Sequence, residues 1–116
     1  MIFVIDDDEI MCECIAKACD GREVLCFSNG IEAMAAIDED NIPKLIFLDV
    51  LLDGPDGFTF LNELLSYSDT ERIPVVIVTS LDLQKNDLSE YGVVGVLNKE
   101  TMKPEEILNY VNEYAD

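Results

Sequence analysis

Four short apolar runs in this chain each end in a side chain with chemistry of its own. Ile2-Phe3-Val4-Ile5 leads into Asp6 and Asp7, and Leu45-Ile46-Phe47-Leu48 leads into Asp49. Val75-Val76-Ile77-Val78 leads into Thr79, and Val93-Val94-Gly95-Val96-Leu97 passes through Asn98 into Lys99. In an open parallel sheet the strand ends of one polarity lie along one edge, and ligands bind at that carboxyl edge. A parallel arrangement of these runs therefore gathers three carboxylates, a hydroxyl and an ammonium into one cleft.

The pattern between the runs supports that arrangement. Residues 8–19 carry an apolar stripe at Met11, Cys14, Ile15 and Ala18, which is helical spacing, and Asp20-Gly21 stops it. Val24 to Phe27 reads as a short strand. Ser28-Asn29-Gly30 opens a second helix with Ile31, Met34, Ala35 and Ile37 as its apolar residues, and Asn41-Ile42-Pro43 breaks the chain before the next strand. The stretch from Asp53 to Gly57 is dense in turn residues. Residues 58–67 form a third helical pattern with Phe58, Leu61, Leu64 and Leu65 inward. A weaker helix over 83–91 ends at Gly92. Pro104 suits the first turn of a last helix carrying Ile107, Leu108, Val111 and Tyr114. The runs ending at Asp49 and Thr79 are apolar without alternation, the mark of strands covered on both faces. Five β-α units with right-handed crossovers predict a three-layer α/β/α sandwich around a five-stranded parallel sheet. The 116 residues suit one domain over 1–116 and are too few for two well-buried ones.

Composition narrows the chemistry. The formal net charge of -18, from 25 acidic and 7 basic side chains, disfavours nucleic acid, whose binding rests on cationic contacts to phosphate. It also disfavours anionic membranes and favours basic partners or cations, although a merely soluble acidic surface is the plainer account of much of it. With no histidine, the commonest general base near neutral pH is missing, along with Ser-His-Asp and Cys-His mechanisms. Cys12, Cys14, Cys19 and Cys26 lack the paired C-x-x-C units of a zinc module. They read as small buried apolar residues, with exposure and oxidation of Cys12 left open. There is no secretion signal pattern and no apolar stretch of membrane-spanning length, so the cytoplasm is the expected location.

Asp6, Asp7 and Asp49 at short range would resist simultaneous ionisation. A divalent cation relieves that repulsion, and Mg²⁺ prefers a few carboxylates plus water and phosphate oxygens. Lys99 adds a positive charge and Thr79 a hydroxyl able to hydrogen-bond a phosphoryl oxygen. Phosphoryl transfer needs mainly positioning and charge neutralisation, and a carboxylate is an established covalent phosphoryl acceptor. Asp49, on the central strand, is the natural one. Each residue alone has a duller reading. The acids of residues 6–8 suit a helix N-terminus, Thr79 and Ser80 could cap a turn, and Lys99 could be one solvated lysine among several. All four strand ends carrying fitting groups together is what favours a site.

The segments "IFVIDDDEI", "LIFLDVLLDGPDGF", "IPVVIVTS" and "GVVGVLNK", in this order, resemble the receiver domain of two-component response regulators over nearly the whole chain. The resemblance implies a flavodoxin-like strand order of 2-1-3-4-5. It implies phosphorylation of Asp49 by a phosphohistidine on a sensor histidine kinase or a histidine phosphotransfer protein. Mg²⁺ would be ligated by Asp7, Asp49 and the backbone carbonyl of Leu51, with Asp6 acting largely through water. Thr79 and Lys99 would bind the phosphoryl oxygens, and Thr79 would couple phosphorylation to the loop after its strand. The chain would catalyse only its own phosphorylation and dephosphorylation and would not otherwise be an enzyme. It would act free-standing on a downstream protein target, as a monomer or a weak phosphorylation-dependent dimer.

The chain departs from the family pattern in three places. Val96 stands where an aromatic switch residue is usual, Glu100 follows the lysine where a cis proline is usual, and Asp53 stands where a proline is common. Val96 keeps open the alternative of a degenerate receiver that binds partners without phosphorylation. Other readings of the same residues fail on particular positions. Leu51 and Phe60 spoil a calcium loop beginning at Asp49, Leu51 replaces the second aspartate of a haloacid-dehalogenase-type phosphatase, and three aspartates would repel a flavin phosphate.

Overall fold

The computed structural model describes residues 1–50, 57–81 and 88–115. Five strands, β1 (Ile2–Ile5), β2 (Val24–Phe27), β3 (Leu45–Leu48), β4 (Val75–Thr79) and β5 (Val93–Asn98), form one sheet. Its order is β2-β1-β3-β4-β5, and every pairing is parallel. The α-helices among the described residues are α1 (Glu9–Ala18), α2 (Gly30–Ala36), α3 (Gly57–Leu65) and α4 (Pro104–Tyr114). The three-layer sandwich and the strand order expected from the sequence are both present.

Side chains of a strand alternate between faces, and the sheet uses both for core. Phe3, Ile5, Ile46, Leu48, Val75 and Ile77 point to one side, where Ala33 of α2 and Phe60, Leu61 and Leu64 of α3 cover them. Ile2, Val4, Leu45, Phe47, Val76 and Val78 point to the other, beneath Cys12 and Ile15 of α1 and Ile107 and Val111 of α4. This two-sided burial explains the unbroken apolar runs.

Two helical stripes differ from the sequence expectation. In α1 the buried residues are Cys12 and Ile15, followed by Cys19 at the C-cap, while Cys14 is exposed. In α2 Ala33 is the buried apolar side chain, and Ile31 is 60% exposed. Both helices are short amphipaths in which a small residue sits against the sheet, so side-chain hydrophobicity alone points to the wrong face. Of the helix expected over 83–91, residues 83–87 lie outside the described part. Its last residues, Ser89–Tyr91, form a 3-10 turn closed by Gly92 at φ 78°.

Loop chemistry sets where each element begins. Asp8 caps α1, its carboxylate accepting from the N–H groups of Ile10 and Met11. Asn29 caps α2 by accepting from Glu32 N. Pro104 opens α4, where Glu106 accepts from Lys103 N. A glycine inside β5 is unusual for a strand. Gly95 makes room for α4, because the Tyr110 phenol lies where a Cβ would stand.

Candidate functional site

β1 and β3 are adjacent and in register, with Ile5 opposite Leu48. The next residue of each, Asp6 and Asp49, therefore emerges beside the other at the carboxyl edge of the sheet. Asp49 N donates to Ile5 O at 2.9 Å and Asp6 N to Phe27 O at 2.9 Å, so the ladder is still intact where the carboxylates begin. Asp7 is exposed, whereas Asp6 and Asp49 are each 4% exposed. One ligand oxygen from each of the three lies within 4.8 Å of the others.

β5 brings Lys99 to the same edge. Its ammonium lies 2.8 Å from Asp6 Oδ2 and 2.9 Å from Asp49 Oδ2, and it donates a hydrogen bond to the latter. Asp6 Oδ1 accepts from Asp8 N at 2.9 Å. Asp6 Oδ2 is buried, and the Lys99 ammonium is its ion-pair partner among the described residues. Burial pushes the Asp6 carboxyl above its usual range, outweighing the lowering by Lys99 and the Asp8 N–H, while the Asp49 charge adds to the rise. Burial alone would lower Lys99; its hydrogen bonds and charge interactions with Asp6 and Asp49 raise it overall. One ammonium thus faces two buried carboxylates with a third beside them.

Three carboxylates against one ammonium leave a surplus of negative charge that fits a hard divalent cation, which takes carboxylate oxygens and keeps water. Nitrogen and sulfur donors are not part of the three-carboxylate group, which argues against softer transition metals.

Thr79 ends β4, between β3 and β5 in the sheet. It is fully buried. Its hydroxyl accepts from Leu81 N at 3.2 Å, and its carbonyl accepts from Lys99 N at 2.9 Å. The turn-capping role is therefore real, and the same residue ties the Lys99 backbone to β4. Leu51, expected to offer a carbonyl to the metal, and Asp53 in the turn beyond it lie outside the described residues.

Two residues to which the sequence reading assigns no role of their own shape the site. Asn98 organises the turn after the lysine. Its Oδ1 accepts from Glu100 N at 2.8 Å and its carbonyl from Met102 N at 2.8 Å. An asparagine in that position carries an Asx-turn signal. Gly57 at the start of α3 donates to Val50 O at 3.3 Å, and a Cβ there would stand 2.6 Å from Val50 Cα and 2.9 Å from Asp49 O. Its sequence signals are the turn-rich composition around it and its place in the segment that carries the family resemblance. Cys12, whose exposure the sequence leaves open, is buried at 6% exposure, and its Sγ lies 4.0 Å from Asp6 O.

Comparison with known proteins agrees with the fold. The response regulator receiver domain family matches residues 2–112. The chain is 36% identical over 83 residues to the response regulator PleD of Caulobacter vibrioides, an overlap of 70% of this chain and 18% of PleD. The chain thus spans under a fifth of that relative. Among solved structures, the receiver domain of Francisella response regulator 1452 superposes with a TM-score of 0.83 at 25% identity, covering 97% of this chain and 93% of that one. The phosphorylated cyanobacterial phytochrome response regulator RcpA superposes at 0.75 with 26% identity, covering 97% and 88%. No described helix is long and apolar enough to cross a membrane. A family match over nearly the whole length, joined to an acidic cluster and a lysine at the carboxyl edge of a 2-1-3-4-5 sheet, means that the chain belongs to the response regulator receiver domains of two-component signalling.

Proposed function

We propose that this chain is a phosphoacceptor that takes a phosphoryl group from a histidine kinase or histidine phosphotransfer protein onto Asp49. The observation that carries the reading is the Lys99 ammonium bridging Asp6 and Asp49 at 2.8 and 2.9 Å. In the transfer, an Asp49 carboxylate oxygen bonds to phosphorus as the P–N bond to the donor imidazole breaks. The electron pair leaves on the imidazole nitrogen. Lys99 is already beside the accepting carboxylate and can follow charge onto the phosphoryl oxygens. Thr79 accepts from Leu81 N and retains its own hydroxyl proton to donate, so a phosphoryl oxygen and the segment after β4 would share one side chain.

Asp6, Asp7 and Asp49, with the Leu51 carbonyl, are the proposed holders of Mg²⁺. When bound, the cation neutralises phosphoryl oxygens and the crowded carboxylates. The phosphorylated domain would then switch binding to a downstream protein, in the cytoplasm and as a single domain over 1–116. The RcpA relative is phosphorylated in its crystal, which supports the reading without transferring its partners.

The test is mass spectrometry after incubation with acetyl phosphate and Mg²⁺. One added phosphate on the peptide holding Asp49, labile to acid and to hydroxylamine, is expected. Asp49→Asn should remove it. Labelling that survives this substitution would move the acceptor elsewhere, and no labelling of the native chain would favour a phosphorylation-independent binding module.

A further inference from the structure

Beside the acidic cluster lies a cavity of about 420 Å³ whose lining includes Asp6, Asp7, Cys12 and Cys26. Cys26 lies on β2, the sheet's edge strand, opposite Val4. Val4 belongs to the α1 side of the sheet together with Cys12. Register therefore puts the Cys26 side chain on the face that α1 covers. The two thiols differ in access, for Cys26 is exposed and Cys12 buried. The Cys26 thiol is near enough to add to the rise that burial imposes on the Cys12 thiol. The other exposed thiol, Cys14, is on α1 but outside its buried stripe.

We infer that Cys12 and Cys26 form a reversible disulfide that tethers the first turns of α1 to the edge strand β2 on the wall of the acidic cleft. This modification site is independent of whether Asp49 accepts a phosphoryl group. The oxidant is a peroxide. The Cys26 sulfur attacks one peroxide oxygen, the O–O bond breaks, and one water leaves with the Cys26 thiol proton, giving a sulfenic acid. The Cys12 sulfur then attacks the Cys26 sulfur. The S–O bond breaks, and the hydroxyl leaves as a second water with the Cys12 proton. Two thiols are oxidised and one peroxide is reduced to two waters. Dithiol exchange reverses the bond. The strand at the edge of the sheet has one neighbour, so it is the partner able to shift as the sulfurs close.

The test uses the full chain treated with hydrogen peroxide, quenched in acid, alkylated under denaturing conditions and digested with trypsin. Cleavage after Lys17 and Arg22 separates the peptide 1–17 from the peptide beginning at residue 23. A cross-linked pair of these peptides is expected, lighter by two hydrogens than their sum and released by dithiothreitol. Cys19 should remain alkylatable. Cys14→Ser should leave the cross-link intact, and Cys26→Ser should abolish it. Cys12→Ala should abolish it too and leave Cys26 oxidised to sulfenic or sulfinic acid. Independent sulfinic acids on the native chain, a bond through Cys14 or Cys19, or a bond only between two chains would each overturn the assignment.

Discussion

Lys99 donates to Asp49 Oδ2 at 2.9 Å across a separation of 50 residues. The bond joins the ends of two strands that are not neighbours, since β4 lies between them. Thr79 ends the intervening strand, and its carbonyl accepts from the Lys99 backbone N–H. The ammonium thus offsets two buried carboxylates at once, and disturbing it exposes their mutual repulsion.

Lys99→Ala should therefore destabilise the metal-free protein. Breaking a buried pair costs several kcal/mol, and the partial exposure of this lysine brings the expected loss to about 2 kcal/mol. Urea unfolding in the presence of EDTA measures it. Lys103 is exposed, and its backbone N–H makes the α4 capping bond. Lys103→Ala should therefore stay within about 0.5 kcal/mol of wild type. Equal losses would remove Lys99 from its central role.

Asp7 is the exposed member of the acidic cluster, so Asp7→Ala should barely change melting without metal. Added Mg²⁺ should raise the melting temperature of the wild type, reaching about 2.7 kcal/mol of stabilisation at a hundredfold excess over its Kd. The variant should lose that increment. An unchanged Mg²⁺ response would place the cation elsewhere.

Burial pushes the Cys19 thiol up to about 11, against a lowering pull from Arg22 and with a small rise from Cys26. In the unfolded chain a cysteine titrates near about 8.5, so the folded state holds this proton longer. The resulting stability is complete below the unfolded value and disappears as pH rises through about 11. Melting under reducing conditions should fall across that window. Cys19→Ala should flatten the slope, whatever its effect on absolute stability; an unaltered slope would assign the alkaline loss to other groups.

Gly57→Ala should be costly, because the added methyl would stand 2.6 Å from Val50 Cα and 2.9 Å from Asp49 O. Backbone cannot rotate away as a side chain can, and overpacking of this kind costs about 1–3 kcal/mol. Equilibrium unfolding gives the number. The same substitution should weaken Mg²⁺ stabilisation, because the strain falls on the Asp49 backbone. A neutral effect on both would show that α3 can move off β3 freely.

The strand ends are readable in the sequence because helices cover both faces of β1, β3 and β4, leaving uninterrupted apolar runs that stop abruptly at Asp6, Asp49 and Thr79. Parallel pairing then fixes the edge at which those residues meet. The α1 stripe misleads because a thiol is neither clearly apolar nor clearly polar. Cys12 and Cys14 are two positions apart and so face opposite sides of one helix, and Ile15 borders both possible stripes, 11-14-15-18 and 12-15-19. Ile31 outranks Ala33 in hydrophobicity, yet the sheet takes the smaller side chain. The closeness of Gly57 to Val50 has no local signal, because it depends on how α3 meets β3. The sharing of one Lys99 ammonium between Asp6 and Asp49 is likewise a property of three-dimensional arrangement alone.

Gly95 and Tyr110 carry one more implication. The phenol occupies the space a side chain on β5 would have claimed, so helix and strand fit as tooth and notch. Sliding one along the other would require the tooth to leave its slot. A protein that grips α4 from solvent is therefore mechanically in touch with the strand whose far end bears Lys99.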